Sequence, residues 1–126
     1  MSEGPAISRA LAPSERALVR WMLENGEPNG VNFLPQLDAA QVGPWVCPCG
    51  CASFNLEIKD RPTPAPGGMK SLGAFVFEVD GETCGIFVYE RHGVLAGVEV
   101  TGYTGDAPKS LPEINLLRPA FPKISD

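Results

Sequence analysis

The chain has 126 residues, of which 44% are hydrophobic and 20% are charged, with a formal net charge of -5 and four cysteines. This composition is typical of a single globular domain, residues 1–126, that buries its own core, and it excludes a disordered chain. The acidic balance argues against a nucleic acid as partner, because phosphate backbones bind basic surfaces.

The N-terminal region is predicted to be helical after a loosely held start over residues 1–12. A first helix is expected over Glu15–Glu24, with Ser14 as its N-cap and apolar residues at helical spacing. A second, shorter helix is expected over Val31–Val42. Its first turn would contain Pro35, because only the first turn of a helix tolerates proline.

The middle of the chain alternates apolar and polar residues over Ser53–Lys59, which predicts a half-buried strand. The next segment, Arg61–Gly68, has three prolines and two glycines in eight residues. We therefore expect an exposed Pro/Gly loop over residues 61–72. The proline-containing tail, residues 104–126, is expected to wrap the surface of the domain. Its expected apolar anchors are Leu111, Ile114, Leu116, Leu117 and Phe121.

The clearest structural signal is a β-meander. Three segments, Gly73–Val79, Glu82–Glu90 and Val94–Tyr103, are rich in β-forming residues. Between the first two, Asp80-Gly81 predicts a type I′ turn, which needs positive φ at both central positions. Between the second and third, Arg91-His92-Gly93 predicts a three-residue turn.

The predicted fold class is therefore α+β: an antiparallel β-meander of about four strands, with one or two N-terminal helices packed on one face. The core residues expected from the meander are Phe75, Phe77, Val79, Ile86, Val88, Val98 and Val100. Trp21 and Trp45 are expected to pack in the core or against a helix, since a surface tryptophan would mark an interface. A free edge strand would allow a homodimer to form by sheet extension.

The run Cys-Pro-Cys-Gly-Cys at residues 47–51 has the most distinctive chemistry in the chain. Its proline and glycine favour a bend, which would bring the thiols closer together than a flat strand allows. Three interpretations stay open: small buried hydrophobes, a zinc site, or thiol-redox and disulfide chemistry. The candidate metal ligands are Cys47, Cys49, Cys51 and Cys84, with His92 as an alternative fourth ligand.

The order of segments around this run resembles a loose group of small, uncharacterised bacterial proteins that carry a Cys-x-Cys-Gly-Cys run. The residues that carry the resemblance are Cys47, Cys49, Gly50, Cys51, Ser53, Leu56, Gly81 and the strand residues 95–100. The resemblance spans residues 31–117 and implies a bacterial, cytoplasmic, single-domain protein, without implying a mechanism. The N-terminal residues also lack the pattern of a secretory signal, and no apolar stretch is long enough to span a bilayer, so no membrane association is expected.

Three functional hypotheses follow. The first is a non-enzymatic module that binds another protein, immunity-like or inhibitor-like, because the chain is small, acidic and without an evident catalytic set. The second is a metal-binding or thiol-redox protein centred on the cysteine run, with zinc as its cofactor. The third is a hydrolase using Ser53, Glu90 or His92. We predict the first, a protein that is not an enzyme and has no cofactor, and we interpret the acidic residues of the meander as solvated charges. Those acidic residues are Glu78, Glu82, Glu90 and Glu99.

Overall fold

The computed structural model describes residues 8–48, 50–103 and 105–120, which form two α-helices and one antiparallel sheet of seven strands. The helices are α1 (Pro13–Asn25) and α2 (Leu34–Asp38), and one-turn 3-10 segments cover Pro28–Phe33 and Ile114–Leu116. The strands are β1 (Arg9–Ala10), β2 (Ala40–Val42), β3 (Phe54–Ile58), β4 (Met69–Val79), β5 (Glu82–Arg91), β6 (Val94–Gly102) and β7 (Arg118–Pro119). The α+β class and the antiparallel sheet are confirmed, whereas the expected number of four strands is wrong. No helix in the described ranges has the length and apolarity needed to cross a membrane.

The strands lie in the order β1-β2-β3-β6-β5-β4-β7. The centre is the predicted meander, in which β5 pairs with β4 on one side and with β6 on the other. The predicted strand near Ser53 is confirmed as β3, which joins the meander by pairing with β6. The three strands that the sequence did not predict are two or three residues long and lie at the margins of the described sheet.

Two tight turns connect the meander strands. Asp80 and Gly81 have φ angles of 52° and 83°, so the predicted type I′ turn is confirmed. At the second turn His92 and Gly93 have φ angles of 52° and 82°. The predicted three-residue turn is wrong, because Arg91 remains in β5 and pairs with Val94, which leaves a two-residue turn.

Helix α1 begins earlier than predicted. Its N-cap is Ala12, not Ser14, and Pro13 occupies the first helical position, where a fixed φ favours helix initiation. Alanine has no side-chain oxygen with which to cap a helix. Instead, the Glu15 carboxylate accepts a hydrogen bond from the Ala12 N–H at 2.8 Å and two from Arg9 at 2.9 Å.

The predicted second helix over Val31–Val42 is wrong at both ends. The helix α2 has five residues, with Pro35 in its first turn as expected. The residues that follow form β2, in which Ala40 pairs with Ile58 and Val42 with Leu56. Backbone pairing with a distant strand therefore overrides the local helical pattern.

The predicted loops are shorter than expected. Residues 9–10, expected to be loosely held, form β1 against β2. Residues 69–72, assigned to the Pro/Gly loop, belong to β4, where Leu72 is fully buried. In the tail Leu117 is buried and Leu116 is exposed, and Leu111 and Ile114 pack against the core from partly buried positions. Phe121 lies outside the described residues.

One hydrophobic cluster unites the helices and the strands. Its members on α1 are Leu18, Val19, Met22 and Leu23. Of the core residues expected from the meander, Phe75, Phe77, Ile86, Val88, Val98 and Val100 are buried, whereas Val79, beside the Asp80 turn, is exposed. Trp21 packs on Phe75 with a ring-centroid distance of 5.0 Å, which confirms its packing role.

Side chains extend the short pairing between β3 and β6. Only two residue pairs join these strands through the backbone ladder. Beyond one end of it, the Gln36 amide accepts from Leu95 N–H at 2.8 Å and donates to Gly93 O at 3.0 Å. Beyond the other end, Ser53 Oγ accepts from Val100 N–H at 2.8 Å. These side chains satisfy polar backbone groups that β3 does not reach.

Candidate functional site

The face of the sheet opposite the core cluster carries most of the candidate site. In β5, Ile86 and Val88 belong to the cluster, so the alternating residues Phe87 and Tyr89 lie on the other face. We call this second face the open face. Tyr89 pairs in register with Gly97 on β6.

Two glycines allow tyrosine rings to lie across the open face. A Cβ on Gly97 would lie 2.6 Å from Tyr89 Oη and 2.8 Å from Phe54 O. A Cβ on Gly85 would lie 2.7 Å from Tyr103 Oη. Glycine in the middle of a strand commonly marks such a close approach, so the sequence contained this signal although it was not used.

Two neighbouring concavities on the open face form one groove. Their volumes are about 370 Å³ and about 710 Å³, and Trp45, Asn55, Tyr89 and Arg91 line both. We call the combined feature the Trp45 groove. The smaller concavity is bordered by prolines of the Pro/Gly loop, and the larger one by residues that follow the end of β6.

Trp45 lies in the segment of residues 43–53, which connects β2 to β3 and is called the β2–β3 loop below. The side chain of Trp45 is 45% exposed and that of its neighbour Val46 is 70% exposed. Trp45 also lines a third concavity, of about 670 Å³, which contains Arg9 and Lys109. The expectation that Trp45 packs in the core is therefore wrong, and its exposure fits the alternative of an interface tryptophan.

Tyr89 forms the centre of the groove and is almost fully buried. Its hydroxyl donates a hydrogen bond to Asn55 Oδ1 at 3.4 Å. The Arg91 guanidinium carbon lies 5.4 Å from the ring centroid, a cation–π arrangement, and Arg91 also donates to Gly67 O at 3.3 Å. Burial raises the pKa of Tyr89, with the nearby cation of Arg91 opposing this effect and Glu99 adding to it.

The groove has an acidic lining. Glu57, Glu99 and Asp106 supply three carboxylates and Arg91 one cation, a formal balance of two negative charges. The ion pairs within the described part of the chain are Arg9–Glu15, Arg20–Glu24, Arg20–Asp38 and Arg118–Glu78. Neither Glu99 nor Asp106 takes part in these ion pairs. The ion pairs therefore do not neutralise the negative charge that these two carboxylates present to a ligand.

The cysteine run lies beside the groove. Cys47 and Cys51 are half-buried and line the larger concavity. The chain bends here as expected, since Gly50 N–H donates to Cys47 O at 3.0 Å and Gly50 has a φ of 83°. The Cys51 thiol donates to Ser53 Oγ at 3.3 Å.

The predicted metal ligands are brought together only in part. Cys49 lies outside the described residues. Cys84 is buried in the core cluster, and this burial raises the pKa of its thiol. Within residues 8–48, 50–103 and 105–120, no three His, Cys, Asp or Glu side chains are arranged to hold a metal ion. Neither Cys84 nor His92 therefore forms such a group with Cys47 and Cys51, and metal binding by the cysteine run stays a prediction that depends on Cys49.

The three residues of the hydrolase hypothesis do not share a pocket. Ser53 bonds to Val100 near one end of β6, whereas His92 lies in the turn before the other end, about 20 Å away at the usual rise of a strand. Glu90 is only 7% exposed, and its carboxylate accepts from Gly93 N–H at 2.8 Å. The interpretation of Glu90 as a solvated charge is therefore wrong.

Comparison of the chain with protein-family models, with curated proteins and with solved structures gives no match. The resemblance to small bacterial proteins with a Cys-x-Cys-Gly-Cys run therefore stays a prediction, and the functional argument depends on the geometry of the site.

Proposed function

We propose that this protein is a non-enzymatic module that binds another protein, in an immunity-like or inhibitor-like role. In this proposal the two helices cover one face of the sheet, and the Trp45 groove with the tip of the β2–β3 loop forms the binding surface. The observation that carries the proposal is the exposure of Trp45, which lines all three concavities, next to the exposed Val46, which lines the third.

The physical basis is the cost of leaving such side chains in water. Exposed tryptophan is unfavourable in a monomer, and buried tryptophan supplies much of the binding energy in many interfaces. The floor of the groove is held by Tyr89, Asn55 and Arg91 through the contacts described above. A partner would therefore meet a surface that is largely organised before binding, which lowers the entropy lost on association.

The test compares capture of partners by three immobilised proteins from an extract of the producing cells. These are the wild type, the variant Trp45→Ser with Val46→Ser, and the control Val31→Ser. Val31 is also 45% exposed but does not line the groove. We expect a partner that the wild type and the control retain and that the double variant loses by at least tenfold, about 1.4 kcal/mol. Equal capture by all three proteins, or capture by none, would contradict the proposal.

A second proposal is a metal-binding or thiol-redox role for Cys47, Cys49 and Cys51. It is supported by the bend of the run and by the position of Cys47 and Cys51 on the wall of the same groove. Metal analysis of protein purified without a metal-affinity tag, with a thiol count before and after denaturation, tests it. About one zinc per chain with protected thiols supports a site. Four thiols and no metal leave the run structural.

A further inference from the structure

We infer that the Trp45 groove binds an extended segment of a basic protein and that it receives an arginine or lysine side chain against Trp45. This inference rests on the proposed function and adds the chemistry of the partner to it. Trp45 lines both concavities and is 45% exposed, and the face of a tryptophan ring attracts cations.

The negative charge of the groove favours a positively charged ligand. Glu99 and Asp106 line the larger concavity beside the aromatic rings, and both stand outside the ion pairs of the described residues. The cation of the groove, Arg91, is already engaged by the Tyr89 ring and by Gly67 O. An incoming guanidinium or ammonium group would therefore contact the Trp45 ring and also the carboxylates of Glu99 and Asp106, which these ion pairs do not neutralise.

The shape of the groove favours a peptide over a small amine. Its two concavities share a wall and extend from the Pro/Gly loop to the residues after β6, which is long for a single side chain. Polar side chains of Asn55 and Thr101 also line the larger part. These groups are of the kind that bonds to the amides of an extended chain on either side of the anchoring residue.

The test is an NMR titration of ¹⁵N-labelled protein with the tripeptide Ac-Ala-Arg-Ala-NH2. Its neutral counterpart contains citrulline in place of arginine. The chain supplies an internal comparison, because it has two tryptophan indole signals. Trp45 lines the groove, whereas Trp21 packs on Phe75. We expect the arginine peptide to move the Trp45 indole signal saturably without moving that of Trp21, with at least about fivefold higher affinity than the citrulline peptide.

Matched variants identify the carboxylates. The variant Glu99→Gln with Asp106→Asn removes two charges from the groove, and the control Glu27→Gln with Glu113→Gln removes two charges elsewhere. We expect the first to lower the affinity for the arginine peptide by about fivefold or more and the control to leave it within twofold. Amide spectra of all variants check that the fold is retained.

Several results would overturn the inference. They are no movement of the Trp45 signal, equal binding of the citrulline peptide, an unaffected groove variant, or binding of methylguanidinium as tight as that of the peptide. The last result would assign the groove to small organic cations. If a partner is captured through Trp45 and Val46 but substitution of Glu99 and Asp106 does not weaken its binding, the proposed function stands and this inference fails.

Discussion

Replacing Gly97 by alanine tests whether the open face is packed as the contacts of Tyr89 indicate. In a strand, this change alone favours the folded state by roughly 0.5–1 kcal/mol, because glycine loses more backbone entropy on folding than alanine. Steric contacts around Gly97 oppose this gain in stability. The new Cβ would lie 2.6 Å from Tyr89 Oη and 2.8 Å from Phe54 O, both far inside van der Waals contact.

The two terms can be compared in magnitude. Overpacking in a well-packed region costs about 1–3 kcal/mol, and moving the tyrosine hydroxyl away from Asn55 removes a hydrogen bond with a net value of about 1 kcal/mol. The clash with Phe54 O involves a backbone atom of β3, which cannot rotate away as a side-chain end can. We therefore expect Gly97→Ala to lower the free energy of unfolding by about 1–3 kcal/mol, opposite in sign to the intrinsic effect of alanine.

Urea unfolding followed by circular dichroism measures this change, with Gly43→Ala as the control. A Cβ on Gly43 would lie 3.3 Å from side-chain atoms of Glu57, which can move, so we expect a change below about 0.5 kcal/mol there. Adding Tyr89→Phe to Gly97→Ala removes the hydroxyl and should recover part of the loss. An unchanged or increased stability of Gly97→Ala would refute the described packing of Tyr89 over β6.

Three further predictions concern other parts of the fold. Gln36→Ala should lower the free energy of unfolding by about 0.5–1.5 kcal/mol in urea, because the part-buried Leu95 N–H and the exposed Gly93 O lose their side-chain partner; a loss below about 0.3 kcal/mol would contradict this role. Hydrogen bonds from Arg9 hold the pKa of Glu15 below its ordinary value. The stabilisation from this pair is therefore present above the unfolded-state pKa of Glu15 and is lost as the pH falls through its lower folded-state pKa. The destabilisation caused by Arg9→Ala should accordingly shrink between about pH 7 and about pH 3, and a pH-independent difference would count against it. Burial raises the pKa of the Cys84 thiol, so peptide mapping after maleimide treatment of folded protein should find Cys84 unlabelled until urea is added.

The elements that the sequence predicts well are those with strong local signals. Asp80-Gly81 favours a turn with positive φ, and its flanking segments form β4 and β5. The elements that it misses, β1, β2 and β7, are two or three residues long. Strands of this length have no detectable period, and they form because a distant strand presents an open backbone edge. Local pattern therefore cannot predict them.

Prediction of the candidate site failed for a related reason. The sequence indicates the cysteine run because three identical reactive residues are close in sequence, whereas the groove is assembled from β3, β5, β6 and three connecting segments. Tyr89 and Gly97 are directly opposite each other only because β5 and β6 pair in that register. The sequence signal for the groove is a glycine in the middle of a predicted strand, opposite a strand that contains a tyrosine. Recognising it requires the register between β5 and β6.

The β2–β3 loop is longer than its two flanking strands require. Val42 pairs with Leu56, and Gly43 N–H still donates to Asn55 O at 2.8 Å, so the two strands are hydrogen-bonded neighbours that a turn of two to five residues could connect. The chain instead uses residues 43–53, and this excursion contains Trp45, Val46 and the whole cysteine run. A connection of this length between adjacent strands adds to the entropic cost of loop closure, and among its described residues only the partly buried Ala52 packs against the core cluster. Of its exposed large apolar side chains, Trp45 lines the groove and Val46 lines the neighbouring third concavity. A connection longer than its flanking strands require, which holds a tryptophan in water beside a preformed groove, supports the proposed binding role.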